Sequence, residues 1–300
     1  MFVARNSKFF VSLFVLVTLA GILSLWYFGL NFGIDFTGGT LIEIAYLDAR
    51  PDVSQIKSSL SGIKALGSDF IVQTSGDKGL VIKAKELSET DKNEVITTLA
   101  AGASNKIEIR RSDSIGPSIG QELKANAIKA IILVILCIML FIAFAFRQVS
   151  FRVKSWKYGM ITVATLVHDV FVPVGIFAAL GHYLGYEIDA LFVTAILTIL
   201  GYSVHDTIVV FDRIRENLKV HKNEKLVDIA GISLRQTVGR SITTSLTVFL
   251  SLVVLYVFGG DTTKIFALTM SMGVIFGTLS SVFMSVPLLV LIAGEGKYQK

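Results

Sequence analysis

Residues 197–217 read LTILGYSVHDTIVVFDRIREN. The stretch begins like the interior of a membrane helix and ends like a charged loop. Between the two parts stand His205 and Asp206, an ionisable pair with apolar residues on either side. A charged side chain at the centre of a spanning helix costs roughly 2.5–3.5 kcal/mol on insertion scales, so such groups face protein or water and mark function. The reading that decides the fold is therefore a membrane-spanning helix with a carboxylate placed inside it.

The rest of the chain agrees. Its 300 residues are 53% hydrophobic, and charged residues make up only 17%, against about 25% in an ordinary soluble domain. The mean hydropathy is +0.68. The net charge of +5 would suit nucleic acid if it were spread evenly. The basic residues instead cluster beside apolar runs, so they read as topology signals and no nucleic-acid partner is expected. Cys137 stands alone in an apolar run, which excludes an intrachain disulfide and a cysteine metal site. Neither metal nor cofactor is expected.

Six apolar runs, near residues 9–30, 126–146, 158–181, 188–211, 241–258 and 265–292, are long enough for a bilayer core that takes roughly 20 helical residues. The first is longer than a signal-peptide core of ~7–15 residues and no small-x-small site follows it, so it reads as a retained span. Arg5 and Lys8 precede it, and Arg147, Arg152, Lys154 and Lys157 lie between the second and third spans. Arg213, Arg215, Lys219, Lys222, Lys225 and Arg235 lie between the fourth and fifth, and Lys297 and Lys300 end the chain. The opposite loops hold only Lys264. Both termini are therefore expected on the cytoplasmic side, with residues 1–30 forming the N-terminus and first span, 126–300 the other five, and 31–125 an external domain.

That external segment alternates like a folded domain. GGTLIEIAYL reads as a strand, DVSQIKSSLSGI as a helix, and DFIVQTS and GLVIKAK as a hairpin. SETDKNEVITTLAA opens with a capping signal and reads as a helix, and NKIEIRRSD reads as a last strand. The order βαββαβ is that of a ferredoxin-like unit. The fold class expected is thus an α-helical multi-pass membrane protein with six transmembrane helices and an α+β external domain between the first two.

Three ionisable groups stand in or at the mouth of spans: Asp169 in the third, Asp206 in the fourth and Arg240 at the start of the fifth. His168 and His205 precede the two carboxylates. Helical spacing puts Thr162, Thr165 and Asp169 on one face, Tyr202, Ser203 and Asp206 on another, and Arg240, Thr243, Thr244, Thr247 and Ser251 on a third. If the three stripes meet inside the bundle they form a hydrated path or a relay. Two plainer readings stand beside it: Asp206 and Arg240 as a static buried ion pair, and the Thr and Ser stripe as interhelical glue. Asp169 could equally be satisfied by His168 or a nearby Thr, and the histidines could be satisfied polar neighbours. Gly273, Gly277, Ser280 and Ser281 read as a close-packing face in the last span. No G-x-x-x-x-G-K-[ST] loop and no nucleophile elbow occur, so neither ATPase nor hydrolase chemistry is expected. The remaining fuel is an ion gradient, worth about 2.3 kcal/mol per charge per 100 mV.

FGIDFTGGT after the first span resembles the signature of the SecD/SecF protein-export family, of the RND superfamily, and SIGPSIGQEL before the second span resembles its second landmark. GYSVHDTIVVFDRIREN followed by LRQTVGRSITTS is similar to the SecF branch rather than the SecD branch. The resemblance covers essentially the whole chain. It implies pairing with SecD in a twelve-span unit beside the SecYEG channel, downstream of SecA, with YajC and YidC as possible neighbours. It implies that the proton motive force completes translocation and release of preproteins at the bacterial inner membrane. It also implies proton transport by Asp206 and Arg240, to which the stripe argument adds Asp169, with His205, Ser203, Thr243, Thr244 and Thr247 lining the path. In FGIDFTGG, Gly38 and Gly39 permit unusual backbone angles and Asp35 can accept backbone N–H bonds. With Gly33, they read as a rigid junction between span and domain, or as a plain strand-entry turn. The alternatives to an export subunit are a stand-alone exporter of lipids or small amphiphiles and a non-transporting structural partner of a channel.

Overall fold

The structure, a computed structural model, describes residues 2–101, 107–146, 153–221 and 223–293. Asn105, Lys106, Arg147, Arg152, Lys222, Lys297 and Lys300 lie outside the described residues. The chain divides into two units, Phe32–Ala127 and Met1–Asn31 with Ile128–Lys300. It opens with a short helix α1 (Phe2–Arg5) and the apolar helix α2 (Ser7–Phe28).

The Phe32–Ala127 unit begins with one helical turn, α3 (Ile34–Thr37), and continues as β1 (Gly39–Tyr46), α4 (Val53–Leu60), β2 (Ile71–Ser75), β3 (Gly79–Ala84), α5 (Glu89–Ala101) and β4 (Ile107–Ile115). The sheet order is β2-β3-β1-β4 with every neighbouring pair antiparallel. Strands β1 and β2 thus point the same way with β3 between them, and β3 and β4 the same way with β1 between them. Two such split βαβ units make the ferredoxin-like arrangement. Period-two alternation supplies the core: Ile42, Ile44, Leu80 and Ile82 lie beneath Ile56, Leu60, Val95 and Leu99. The SETD signal folds into a reciprocal cap at the start of α5. Asp91 N–H donates to Ser88 Oγ and Ser88 N–H to Asp91 Oδ2, each at 3.2 Å. A bulge at Arg110 shifts the β1–β4 register between Glu43 and Ile44, which adds local twist at the sheet edge.

The other helices are α6 (Pro117–Ala145), α7 (Ser155–Leu184), α8 (Ala190–Val220), α9 (Leu226–Phe258), α10 (Asp261–Phe283) and α11 (Ser285–Ala293). Among the described residues, six helical segments have the length and hydropathy to cross a membrane, the last comprising α10 and α11. Helices α8 and α9 run well past the apolar runs, because their polar ends keep helical periodicity and α9 has no breaker before Lys225. The break after Phe283 has a covalent cause: Pro287 has no N–H for the Phe283 carbonyl, and its ring crowds that carbonyl. Proline inside α7 does not end it, although Pro173 leaves the Asp169 carbonyl without its helical donor. Glycines set the tightest crossings. Gly175 of α7 lies so close to α2 that a Cβ there would come within 2.5 Å of Gly21 Cα, and a Cβ on Gly273 of α10 would overlap Ile199 of α8 at 2.1 Å.

Entry to and exit from the small unit are fastened together. Gly38 and Gly39 have φ of +74° and +129°. A Cβ on Gly38 would meet Pro117 Cα at 2.8 Å, and one on Gly39 would meet the Ala84 carbonyl oxygen at 2.6 Å. A Cβ on Gly120 would in turn press on Gly38 N and Phe36 O at 3.0 Å, and Lys124 Nζ sits 3.9 Å from the Phe32 ring centre. Gly33 caps α3 in an extended conformation and accepts from Thr37 Oγ1 at 3.0 Å, while Asp35 is buried in that turn. Gly39→Ala is expected to cost about 1–3 kcal/mol from backbone strain alone. Gly185→Ala, at a left-handed φ of +70° and ψ of +19° with open space around it, costs only about 1–2 kcal/mol. Thermal unfolding of the two purified variants checks the order.

Candidate functional site

The bundle buries two carboxylates among its described residues, Asp169 at 0% exposure and Asp206 at 4%. Asp169, on α7, accepts at Oδ2 from Ser203 Oγ of α8 and from Ser280 Oγ of α10, the latter at 2.8 Å. One oxygen thus gathers three helices. Oδ1 has no hydrogen-bond partner among the described residues. Glycine makes the closeness possible, since Gly277, one turn before Ser280, faces Ser203, whose Cβ a Cβ there would approach to 3.1 Å.

His168 turns the other way. Its Nδ1 lies 2.7 Å from Thr18 Oγ1 of α2, and Thr18 donates its own hydrogen to the Phe14 carbonyl at 2.7 Å. Both bonds are satisfied when Nδ1 carries the imidazole proton. His168 therefore ties α2 to α7 and does not touch Asp169. Thr162 and Thr165, which share Asp169's sequence face, bond to carbonyls of their own helix.

Asp206, on α8, accepts at Oδ1 from Ser241 Oγ of α9 at 3.3 Å, and its Oδ2 has no partner among the described residues. One turn further in, Tyr202 donates to Ser245 Oγ at 3.0 Å, and Ser245 and Thr278 of α10 share a bond of 2.6 Å. Arg240 is exposed, and no ion pair or hydrogen bond joins it to Asp206, so a static buried pair is not what holds α8 to α9 here.

The expected meeting of three stripes inside the bundle is corrected at α9. Arg240, Thr243, Thr244, Thr247 and Ser251 all lie on the outer surface, with Thr243, Thr247 and Ser251 donating to carbonyls one turn back on their own helix. His205 is exposed as well, on the same α8 face as Thr194, Thr198 and Gly201. The face of α9 turned inward is Ser233, Thr237, Ser241 and Ser245. Periodicity shows which residues share a face but not which way it points, and α9 has two polar faces about one residue apart. The narrower serine-rich one allows closer helix approach. Ser241 and Ser280 were not legible as partners of the carboxylates, nor Thr18 as the partner of His168, nor Ser245 and Thr278 as partners of Tyr202 and of each other. For Ser280 the signal was present in its serine–glycine spacing, which also fits simple packing.

Comparison with known proteins gives this geometry relatives. Residues 95–295 match the family described as protein export membrane protein SecD/SecF, C-terminal, and residues 24–46 match the SecD/SecF GG motif. The protein translocase subunit SecF of Thermobaculum terrenum is 41% identical over 290 residues, covering 94% of this chain and 90% of the relative. That of Haemophilus influenzae is 34% identical over 280 residues, covering 91% and 81%. The crystal structure of SecDF from Thermus thermophilus, described as a translocon-associated membrane protein, superposes with a TM-score of 0.82 at 29% identity. A SecDF structure in the Super-membrane-facing form gives 0.67 at the same identity. The chain spans 38% of the length of each of these SecDF chains and is itself covered to 96%.

Ser280→Ala removes one of two donors from a fully buried carboxylate. It is expected to lower stability by about 1 kcal/mol, the scale of interhelical hydrogen bonds in membranes. Ser281→Ala, whose hydroxyl bonds only the Thr278 carbonyl of its own helix, is expected to leave the melting temperature in detergent nearly unchanged.

Proposed function

This chain belongs to the SecF translocase subunits of the SecD/SecF protein-export family, and we propose that it couples proton entry at Asp206 to the late stage of polypeptide export. In this reading SecD is the direct partner. The pair stands beside the SecYEG channel after SecA has acted, with YajC and YidC as further neighbours, and translocating preprotein is the substrate. The membrane is the bacterial inner membrane, with both termini cytoplasmic and residues 31–125 outside, as the Lys and Arg distribution implies. The energy comes from the proton motive force, and no nucleotide is hydrolysed by this chain.

The observation that carries the reading is the pairing of an inner carboxylate with an outer polar face on the same two helices. Among the described residues, Asp206 is buried with one hydroxyl donor at hydrogen-bond distance and a second oxygen without a partner. On the outside of α8 and α9, helices long and apolar enough to cross a membrane, His205, Arg240, Thr243, Thr244 and Thr247 are exposed. Polar side chains facing lipid are costly, whereas the same groups facing another membrane protein are used. That face therefore suits SecD. An ionised Asp206 attracts Arg240, and a protonated one does not, so the gradient alternately draws α8 and α9 together and releases them. The clasp of Gly38, Gly39 and Pro117 gives the start of α6 and the external domain one rigid joint through which such movement passes. Asp169, shared by three helices, is the second candidate carrier.

Asp206→Asn keeps size and hydrogen bonding but cannot ionise. Assembled with SecD and the channel in vesicles, it is expected to remain folded and to lose the acceleration of late, ATP-independent preprotein movement by an imposed proton gradient. An assembled variant that responds like the unsubstituted chain makes Asp206 a packing residue and this subunit a structural one.

A further inference from the structure

Beside Asp206, the seam of α8, α9 and α10 holds three hydroxyls whose hydrogens can all be placed. Thr278 Oγ1 of α10 donates to the Val274 carbonyl of its own helix at 2.7 Å. A hydroxyl has one hydrogen, so in the 2.6 Å bond between Ser245 Oγ of α9 and Thr278 Oγ1 the donor is Ser245. Tyr202 of α8 in turn donates to Ser245 Oγ at 3.0 Å. The hydrogens therefore run one way, from Tyr202 to Ser245 to Thr278 to the Val274 carbonyl, and they tie three helices together. Ser245 and Thr278 have no hydrogen left to give. Tyr202 stands at the head of the row, so its hydroxyl can leave without breaking a bond between the others.

The row lies next to an oxygen that lacks a donor. Tyr202 and Asp206 are one turn apart on α8, and Ser245 and Ser241 are one turn apart on α9. The bonds Tyr202–Ser245 and Asp206–Ser241 are thus successive rungs across one seam. Asp206 Oδ1 accepts from Ser241 at 3.3 Å, while Oδ2 is buried and has no hydrogen-bond partner among the described residues. Side chains one turn apart stand about 5–6 Å from each other, so a hydroxyl that moves by about 3 Å exchanges one rung for the other at an O–H···O distance of about 2.8 Å. An unfilled oxygen costs less on a neutral carboxyl than on a carboxylate, where a buried charge goes unanswered. The titratable and charged groups around Asp206 are His205 of α8 and Arg240 of α9, both exposed, and Asp169 of α7, held by Ser203 and Ser280; α10 brings the hydroxyl of Thr278.

We propose that Tyr202 is the positioning residue for Asp206: its hydroxyl sits on Ser245 while the carboxyl is protonated, as in this structure, and passes to Oδ2 when the proton leaves. A bond between α8 and α9 then becomes a bond within α8. The inference rests on the proposed proton exchange at Asp206 and adds the group that converts it into helix movement. Arg240 and Ser245 lie on α9 to either side of Ser241. Ionisation draws the two helices together at Arg240 and frees them at Ser245, so α9 tilts against α8.

The carboxyl band in infrared difference spectra reads the switch. In the complex with SecD in vesicles, the band of protonated Asp206 is identified by its loss in Asp206→Asn. It is then followed against pH in the unsubstituted chain, Tyr202→Phe and Ser245→Ala, each after its assembly is confirmed. Tyr202→Phe deprives the carboxylate of its donor, so the proton is expected to stay on to a pH about one unit higher, a tenfold change on the scale of a hydrogen bond to a charged group. Ser245→Ala leaves the Tyr202 hydroxyl only Asp206 to serve, so the band is expected to vanish at a lower pH than in the unsubstituted chain. A hydroxyl lost beside a carboxylate acts in the opposite sense by itself, which makes that fall specific to Tyr202. If the two midpoints do not separate in these directions, Tyr202 is a packing residue and the switch is overturned, while Asp206 keeps its proposed role. A band in the unsubstituted chain that does not change with pH removes the role of Asp206 and the switch together.

Discussion

A polar group inside a bilayer has no water to turn to, so every hydrogen bond it makes must come from the protein. The bundle is arranged around that constraint. Asp169 takes donors from α8 and α10, Asp206 takes one from α9, and His168 reaches across to α2. Glycines at the crossings let the backbones come close enough for short serine side chains to reach. The helices are not held by apolar packing alone, since lipid tails offer as much to an apolar side chain as another helix does. Small residues and hydroxyl–carboxylate bonds determine which helix meets which, and where.

The same constraint separates two kinds of surface. The second half of helix α6 is apolar and turns Leu133, Leu136 and Leu140 outward, as suits contact with lipid. Helices α8 and α9 turn His205, Arg240 and a line of threonines outward. The chain spans 38% of the length of the SecDF chains it resembles. Within the external unit the constraint is the ordinary one of water and sheet, and period-two alternation gives a ferredoxin-like core whose two chain crossings are clasped at Gly38, Gly39 and Pro117.

Much of this was legible from the chain itself. Six apolar runs, the βαββαβ order and the Ser88–Asp91 cap could be read because each depends on local periodicity or on residues three positions apart. That Asp169 and Asp206 lie inside the bundle could be read because a carboxylate in an apolar run is costly wherever it faces lipid. Their partners could not. Ser203, Ser241 and Ser280 belong to other helices, and serine at helical spacing signals close packing as readily as a hydrogen bond. The direction of the α9 stripe was also hidden, because Arg240, Thr243 and Thr247 share a face under either rotation of the helix. Only the competing stripe of Ser233, Thr237, Ser241 and Ser245, packed against α8 and α10, decides it.

What covers the outer face of α8 and α9 decides whether their polar side chains meet a partner. A photo-crosslinking amino acid placed at position 247 of α9, with position 133 of α6 as the lipid-facing control, would be activated in native membranes. Efficient crosslinking from position 247 to the SecD subunit, with none from position 133, is the predicted result. Crosslinks from position 247 to lipid alone, indistinguishable from those at position 133, would contradict it, since the polar face of α9 would then be a surface that meets no partner.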